Sequence, residues 1–351
     1  MATTRYWIFA LIIVTAVFIL SVQFNAPAQD VNPISGLGTT DAGCNIAQHQ
    51  REFIYEKYYA GPLIDTHLHM PVASRVVADT AMQMGFEDMP YRGDVTTDRI
   101  ACLLGSEGIT KAFGFFLIHK AALDSSINAA KTDVKMHPEF APFFMPPFPV
   151  EGHAPEISAV ENLLKSNPGF FQGYGEARFD FANIPNAKPD DKYFLEMYRL
   201  AEEHNLVVQI HPDKGQVPAL ERILTQYPNV KFLVHLMVSD RREIPRLLAT
   251  YSNFYYSLDA EIHYIFGYQN IQDNNGPNKE EYLASIRTNF DSWLNEALRE
   301  WKPLIEKYPD RFTWGTDRWF TWHFDPEVGG LVAEFGRTFI GHLDPAVQEK
   351  F

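Results

Sequence analysis

Three segments of the chain share one form: YPNVKFLVH at 227–235, YSNFYYSLD at 251–259 and YPDRFTWGTD at 308–317. Each places a tyrosine at the end of a helical pattern, then a turn pair, then an apolar strand-like run. That is the joint between a helix and the next strand of a repeating β/α unit. Eight strand-like runs follow this rhythm: Leu63–Thr66, Ala112–Ile118, Phe143–Met145, Phe170–Gly175, Leu206–Ile210, Val230–Val234, Phe254–Leu258 and Phe312–Gly315. Helical patterns lie between most of them. The clearest is Asp191–His204, where Phe194, Leu195, Tyr198 and Ala201 share one face. Val217–Gln226, Arg241–Thr250 and Ser285–Lys307 also read as helices, and Pro218 suits a helix start. The fold class is α/β. A (β/α)8 TIM barrel fits the count of strands, with a doubly wound open sheet as the alternative. The chain has no G-x-G-x-x-G or P-loop pattern to make such a sheet a nucleotide-binding one.

Two connections are longer than a barrel needs. Residues 70–97 follow the first strand and contain Arg75 and Arg92. Residues 260–284 follow the seventh and contain Glu261, His263 and Tyr264. Loops that leave the carboxyl ends of barrel strands form the active-site mouth, so both are expected to wall a substrate pocket.

The strand ends carry the chemistry. LIDTHLHM at 63–70 puts His67 and His69 at alternate positions, so one face of a strand presents two imidazoles. The fourth run ends in Glu176, the fifth in His211, the sixth in His235 and the eighth in Asp317. A barrel brings all six to one end of its sheet. Imidazoles and carboxylates together suit Zn²⁺, with Mn²⁺ or Fe²⁺ as alternatives.

These motifs resemble the amidohydrolase superfamily. LIDTHLH, QIHPD, LVHLM and WGTDR look like its amidohydrolase-related branch of metal-dependent TIM-barrel hydrolases and decarboxylases, over roughly residues 62–340. The resemblance implies a metal held by His67, His69, His211 and Asp317. Asp317 would move the proton and His235 would stabilise an oxyanion or align the water. Glu176, in GYGEARFD, is similar to a glutamate of the TatD-like branch that helps hold a second metal. It would either bridge two metals or orient substrate. Arg75, Arg318, Trp319 and His263 are candidates for substrate binding, since an arginine fork suits a substrate carboxylate.

The expected activity is hydrolysis of an amide, ester or lactone carbonyl by a metal-activated water. The alternatives are a metal-dependent decarboxylase or hydratase acting on a carboxylic acid, and an exported metal-binding barrel without turnover. The partner is a small-molecule substrate, and a homo-oligomer is open. A net charge of −14 excludes a nucleic-acid footprint.

Residues 7–24 are almost wholly apolar, with Arg5 before them and Ala26-Pro27-Ala28 after. This reads as a signal peptide over residues 1–28, or as a transmembrane anchor giving membrane attachment. Either exports the rest of the chain to a periplasmic or extracellular location. Residues 29–59 read as a linker and N-terminal extension, with a short helix over 46–59, and residues 60–351 as the barrel. An exported chain permits Cys44 and Cys102 to pair, though spacing does not decide it.

Overall fold

The computed structural model describes residues 45–72, 90–118, 123–145, 156–179, 187–259 and 278–350. Eight parallel strands form one sheet in the order β1 to β8, each hydrogen-bonded to the next in sequence. They are β1 (Leu63–His69), β2 (Ile109–Leu117), β3 (Phe140–Met145), β4 (Gly173–Arg178), β5 (Val207–His211), β6 (Phe232–Val234), β7 (Phe254–Ser257) and β8 (Phe312–Thr313). The α-helices between and after them are α1 (Thr97–Ser106), α2 (Leu123–Met136), α3 (Ile157–Ser166), α4 (Lys192–Glu203), α5 (Val217–Gln226), α6 (Ile244–Thr250), α7 (Lys279–Lys307), α8 (Pro326–Gly341) and α9 (Pro345–Gln348). This is the expected (β/α)8 TIM barrel, and the open sheet is ruled out by how β8 returns to β1.

That seam is irregular. β8 has two residues, and the chain beyond it closes on β1 one bond at a time. Thr66 N donates to Trp314 O, Asp317 N to His67 O, and His69 N to Arg318 O. The Thr66 hydroxyl donates to Trp314 O and is hydrogen-bonded to the Thr313 hydroxyl, both at 2.9 Å. Gly315 leaves room for β1, because a Cβ there would stand 3.0 Å from His67 N.

Two apolar layers follow from the alternation of side chains along a strand. On β2, Ala112 and Phe116 join the layer between sheet and helices. Phe113, Phe115 and Leu117 point inward and pack with Phe143, Met145, Val207 and Trp319 inside the barrel. One side of the barrel interior is therefore apolar, and the polar strand ends share what remains. Both faces of the sheet are covered, which is why the strands read as apolar runs.

The structure departs from the sequence reading in four places. Residues 46–59 form no helix. They run as an irregular strap across α8, where the buried Glu334 carboxylate accepts from His49 Nε2 and from the backbone N–H of Glu52 and Phe53. Those N–H groups go to a side chain, so no helix is needed to satisfy them. The helix expected over Arg241–Thr250 is a 3₁₀ turn, Val238–Glu243, followed by α6, with Pro245 in the first turn of α6. α8 is not among the helical patterns expected from the sequence; it is buried all round from Val328 to Ile340, its polar Glu334, Arg337 and Thr338 included. Finally, β4 runs on to Arg178, so Glu176 lies inside the strand rather than at its end.

Residues 1–44, with the expected export segment and Cys44, lie outside the described residues. Among the described residues no helix is long and apolar enough to cross a membrane. Cys102 on α1 is disulfide-bonded.

Candidate metal centre

Glu176 reaches the barrel interior through a break in β4. Tyr174 and Ala177 both face the helix layer although they stand three positions apart, an odd interval. The pairing with β5 shifts between them, so this stretch carries one residue more than strict alternation allows. Gly175 makes that possible. Its φ is +134°, and a Cβ there would collide with the backbone oxygen of Gln209 on β5. The irregularity turns the Glu176 carboxylate inward, where it is buried.

The carboxylate divides its two oxygens. Oε2 lies 3.8 Å from His67 Nε2 and 3.7 Å from His69 Nε2. Oε1 lies 2.9 Å from His235 Nε2 and 3.2 Å from His211 Nδ1. Asp317 completes the first side, its Oδ1 3.2 Å from His69 Nε2 and 3.5 Å from His67 Nε2. So all six expected residues gather at the carboxyl end of the sheet, in two lobes joined by Glu176. His211 does not join the lobe of His67, His69 and Asp317, where a single-metal reading would put it. It sits with His235 on the other side of the glutamate.

The first lobe has the form of a cation site. Around a tetrahedral ion with bonds of about 2.0–2.2 Å, ligand atoms stand roughly 3.4 Å apart. The four imidazole–carboxylate separations there bracket that value. They are mostly longer than hydrogen bonds, and His67 Nε2 is buried with no hydrogen-bond partner. An orphaned, fully buried imidazole nitrogen facing two carboxylate oxygens fits a divalent cation as its missing partner.

The tautomer agrees. His67 Nδ1 lies 2.9 Å from Asp259 Oδ2. A carboxylate can only accept, so the proton sits on Nδ1 and the Nε2 lone pair faces the lobe. Gln209 Nε2 stands 2.9 Å from the same Nδ1, and with the proton of that nitrogen given to Asp259 it is a packing neighbour rather than a hydrogen-bond donor to the ring. Asp259 Oδ2 also lies 3.3 Å from His235 Nδ1. Neither Asp259 nor Gln209 was among the sequence candidates. Asp259 was signalled by the repeat itself, since it ends YSNFYYSLD as His235 and Asp317 end theirs. Gln209 had only a polar residue inside an apolar strand to mark it.

Burial and charge oppose each other in the cluster. Burial alone would lower His235, but the Asp259 and Glu176 carboxylates outweigh it and hold the imidazole well above its ordinary range. Burial likewise would raise Glu176, and His235 and His211 hold it well below. His69 is lowered, burial being the largest cause. His67 is raised against its own burial, chiefly by Asp317 and Asp259.

Asp65 anchors the frame beneath. It is fully buried and accepts from the backbone N–H of His67 at 3.0 Å, from that of Thr316 at 2.9 Å and from the Thr316 hydroxyl at 2.5 Å. Asp317, one residue on, has φ +48°.

The expected substrate residues divide. Trp319 stands edge-on to the His69 ring with centroids 4.7 Å apart, at the mouth. Arg318 is a correction. It is 1% exposed and its guanidinium pairs with the buried Glu107 carboxylate. A buried guanidinium needs a buried counter-charge, and Glu107 supplies it. Arg75 and His263 lie outside the described residues. Beside His211, a small polar pocket opens among Asp213, Lys214, Leu236, Met237 and Asp240.

A family model described as Amidohydrolase (Amidohydro_2) matches residues 64–351. Among solved structures, the chain resembles a zinc-bound amidohydrolase from Burkholderia multivorans. The TM-score is 0.53 at 12% identity, covering 83% of this chain and 96% of that one. It also aligns with a probable 2-pyrone-4,6-dicarboxylic acid hydrolase from Acinetobacter baumannii, with TM-score 0.46 at 13% identity over 76% and 89% of the two chains. Likeness at such identities speaks to the fold alone. No curated protein sequence matches the chain. The family match spans the whole barrel, from β1 with its two histidines to the end of the chain, and on that ground the chain belongs to the amidohydrolase family.

Proposed function

We propose that the protein is a metal-dependent hydrolase of small molecules, cleaving an amide, ester or lactone carbonyl, with two divalent cations held on either side of Glu176. His67, His69 and Asp317 would hold one, and His211 and His235 the other. The observation that carries the reading is the division of the Glu176 oxygens between the two groups of histidines. A carboxylate serving substrate or one cation has no need to meet imidazoles with both oxygens.

The donor set favours zinc, with manganese or iron(II) as alternatives. When bound, such a cation polarises a carbonyl and lowers the pKa of a water toward neutrality. The remaining roles belong to the chain. Asp317 has the one partly exposed carboxylate of the cluster, with 19% of its side chain accessible. Its position suits it to take the proton of the attacking water on Oδ and return it to the leaving group. His235 is given a ligand role because its Nε2 faces Glu176 Oε1 alongside His211 Nδ1. Trp319, Leu117 and Met145 would exclude water from the apolar side of the pocket.

Two further points support hydrolysis over decarboxylation. A lyase acting on an acid needs a cation for the substrate carboxylate, and of the two arginines expected to supply one, Arg318 is committed to Glu107 while Arg75 lies outside the described residues. The disulfide at Cys102 suits an oxidising compartment, in keeping with export of a scavenging enzyme.

The test is metal content per chain, by elemental analysis of wild type and Glu176→Gln, alongside assays with lactones, esters, amides and aromatic carboxylic acids. Two equivalents in wild type, fewer in the variant, and hydrolysis products support the proposal. Carbon dioxide release without hydrolysis overturns the reaction class. Absence of metal in both proteins after reconstitution overturns the whole reading.

A further inference from the structure

We infer that Asp259 is a positioning residue shared by both lobes of the centre, setting through one oxygen the ring orientation of a histidine from each. The inference rests on the two-lobed reading above and deepens it.

The geometry is unusual for a buried acid. Asp259 lies two residues beyond the end of β7 and is fully buried. Its Oδ2 is hydrogen-bonded to His67 Nδ1 at 2.9 Å and stands 3.3 Å from His235 Nδ1, an ion-pair distance without hydrogen-bond geometry. Those rings stand nearly perpendicular, 84° apart with centroids 4.7 Å apart. Each ring therefore turns its Nδ1 toward one oxygen and its Nε2 toward the Glu176 carboxylate, His67 toward Oε2 and His235 toward Oε1.

The chemistry follows from what each atom can do. An ionised carboxylate accepts and never donates, so it selects the Nδ1–H tautomer of His67, and its charge favours a proton on the His235 nitrogen that faces it. A ring with its proton on Nδ1 offers Nε2 as a lone pair. Carboxylates behind a ligand histidine orient the ring and raise its basicity, and their loss costs about 10–100-fold in metal affinity. One carboxylate behind two such rings applies that cost to both lobes at once. His211 differs. Its Nδ1 already faces Glu176 Oε1, so its effect is confined to its own lobe. Gln209 touches the His67 ring and is confined to the other.

The experiment is zinc competition against a chromophoric chelator, with the full chain as wild type, Asp259→Asn, His211→Asn and Gln209→Leu. Asp259→Asn keeps the size of the side chain, and far-UV circular dichroism checks that each variant is folded. The expected result is that Asp259→Asn weakens both equivalents by about 10–100-fold. His211→Asn should weaken one only. Gln209→Leu should weaken one only, and a different one, so that it adds to His211→Asn. A merely structural role for Asp259 would lower the melting temperature of the metal-free protein and leave both affinities alone, which overturns the inference.

A second measurement needs no variant. Nitrogen-15 spectra of the histidine rings in the zinc-loaded protein should show protons on Nδ1 of both His67 and His235. A proton on Nε2 of either overturns the inference. Wild type with one equivalent or none overturns the two-lobed proposal itself, whereas two equivalents untouched by Asp259→Asn overturn this inference alone.

Discussion

Asp317 donates its backbone N–H to the carbonyl oxygen of His67 at 2.8 Å, and its carboxylate Oδ1 stands 3.5 Å from Nε2 of the same histidine. The bond that closes the barrel and the contact that builds the first lobe thus join the same two residues. The seam also holds Asp317 at φ +48°, a conformation that costs a non-glycine residue of order 1–3 kcal/mol. Asparagine tolerates that conformation, so Asp317→Asn is expected to fold normally. Turnover should fall about 10²–10⁴-fold, the usual worth of a positioned acid–base group. Steady-state kinetics on a hydrolysed ester, with metal content measured in parallel, checks this. Full turnover with metal retained would remove Asp317 as the proton carrier.

Metal-free protein should respond to pH from both sides. His235 is raised in the fold, so its contribution is complete below the ordinary imidazole range and is lost as pH rises through the raised value. Glu176 and Asp259 are lowered, so theirs is complete above the ordinary carboxylate range and is lost as pH falls through the lowered values. The melting temperature should therefore peak between about pH 4 and 6.5. In His235→Asn the alkaline decline should flatten. A decline of equal size in both proteins would assign it elsewhere.

Removing Arg318 should test fold rather than substrate. Arg318→Met leaves Glu107 buried without its partner, a change worth about 3–5 kcal/mol in denaturant titrations. The double variant Arg318→Met, Glu107→Leu should recover most of that. If the single variant instead keeps its stability and raises KM for carboxylate-bearing substrates, Arg318 belongs in the pocket after all.

The strap at 45–60 should depend on one carboxylate. Glu334→Ala strands the backbone donors of Glu52 and Phe53, and the loss of stability is expected to be about 1–3 kcal/mol. Protease cleavage within the strap should speed up in step. The Phe53 ring, stacked 3.9 Å from that of Phe290 on α7, should become solvent-accessible with it. Unchanged cleavage would show that Arg287 with Glu52, and Arg337 with the carbonyls of Tyr59 and Gly61, hold the strap without Glu334.

Much of this could be read from residues in a row. Strands buried on both faces announce themselves as apolar runs, and the repeated joint from helix to strand gave the barrel. The six ligand candidates were legible because each follows such a run, and a parallel barrel sends every strand end to the same rim. α5 was legible to the residue, since Pro218 opens it and its apolar face keeps a helical period. What failed locally failed for physical reasons. α8 buries even its polar positions Glu334, Arg337 and Thr338, the strap satisfies its N–H groups with a distant carboxylate, and Arg318 looks no different from a substrate arginine until Glu107 is beside it.

The sequence by itself determined the barrel, the kinds of donor atom and the rim at which they meet, because those depend on period and order along the chain. Only the tertiary structure decided how the donors are shared. The break at Gly175 turns Glu176 inward, and its two oxygens then face different histidines. His211 joins His235 rather than His67, and Asp259 stands behind two rings at once. These are relations between residues far apart in sequence, set by where a bulge, a glycine and an irregular seam let side chains approach. No local pattern encodes a distance of that kind.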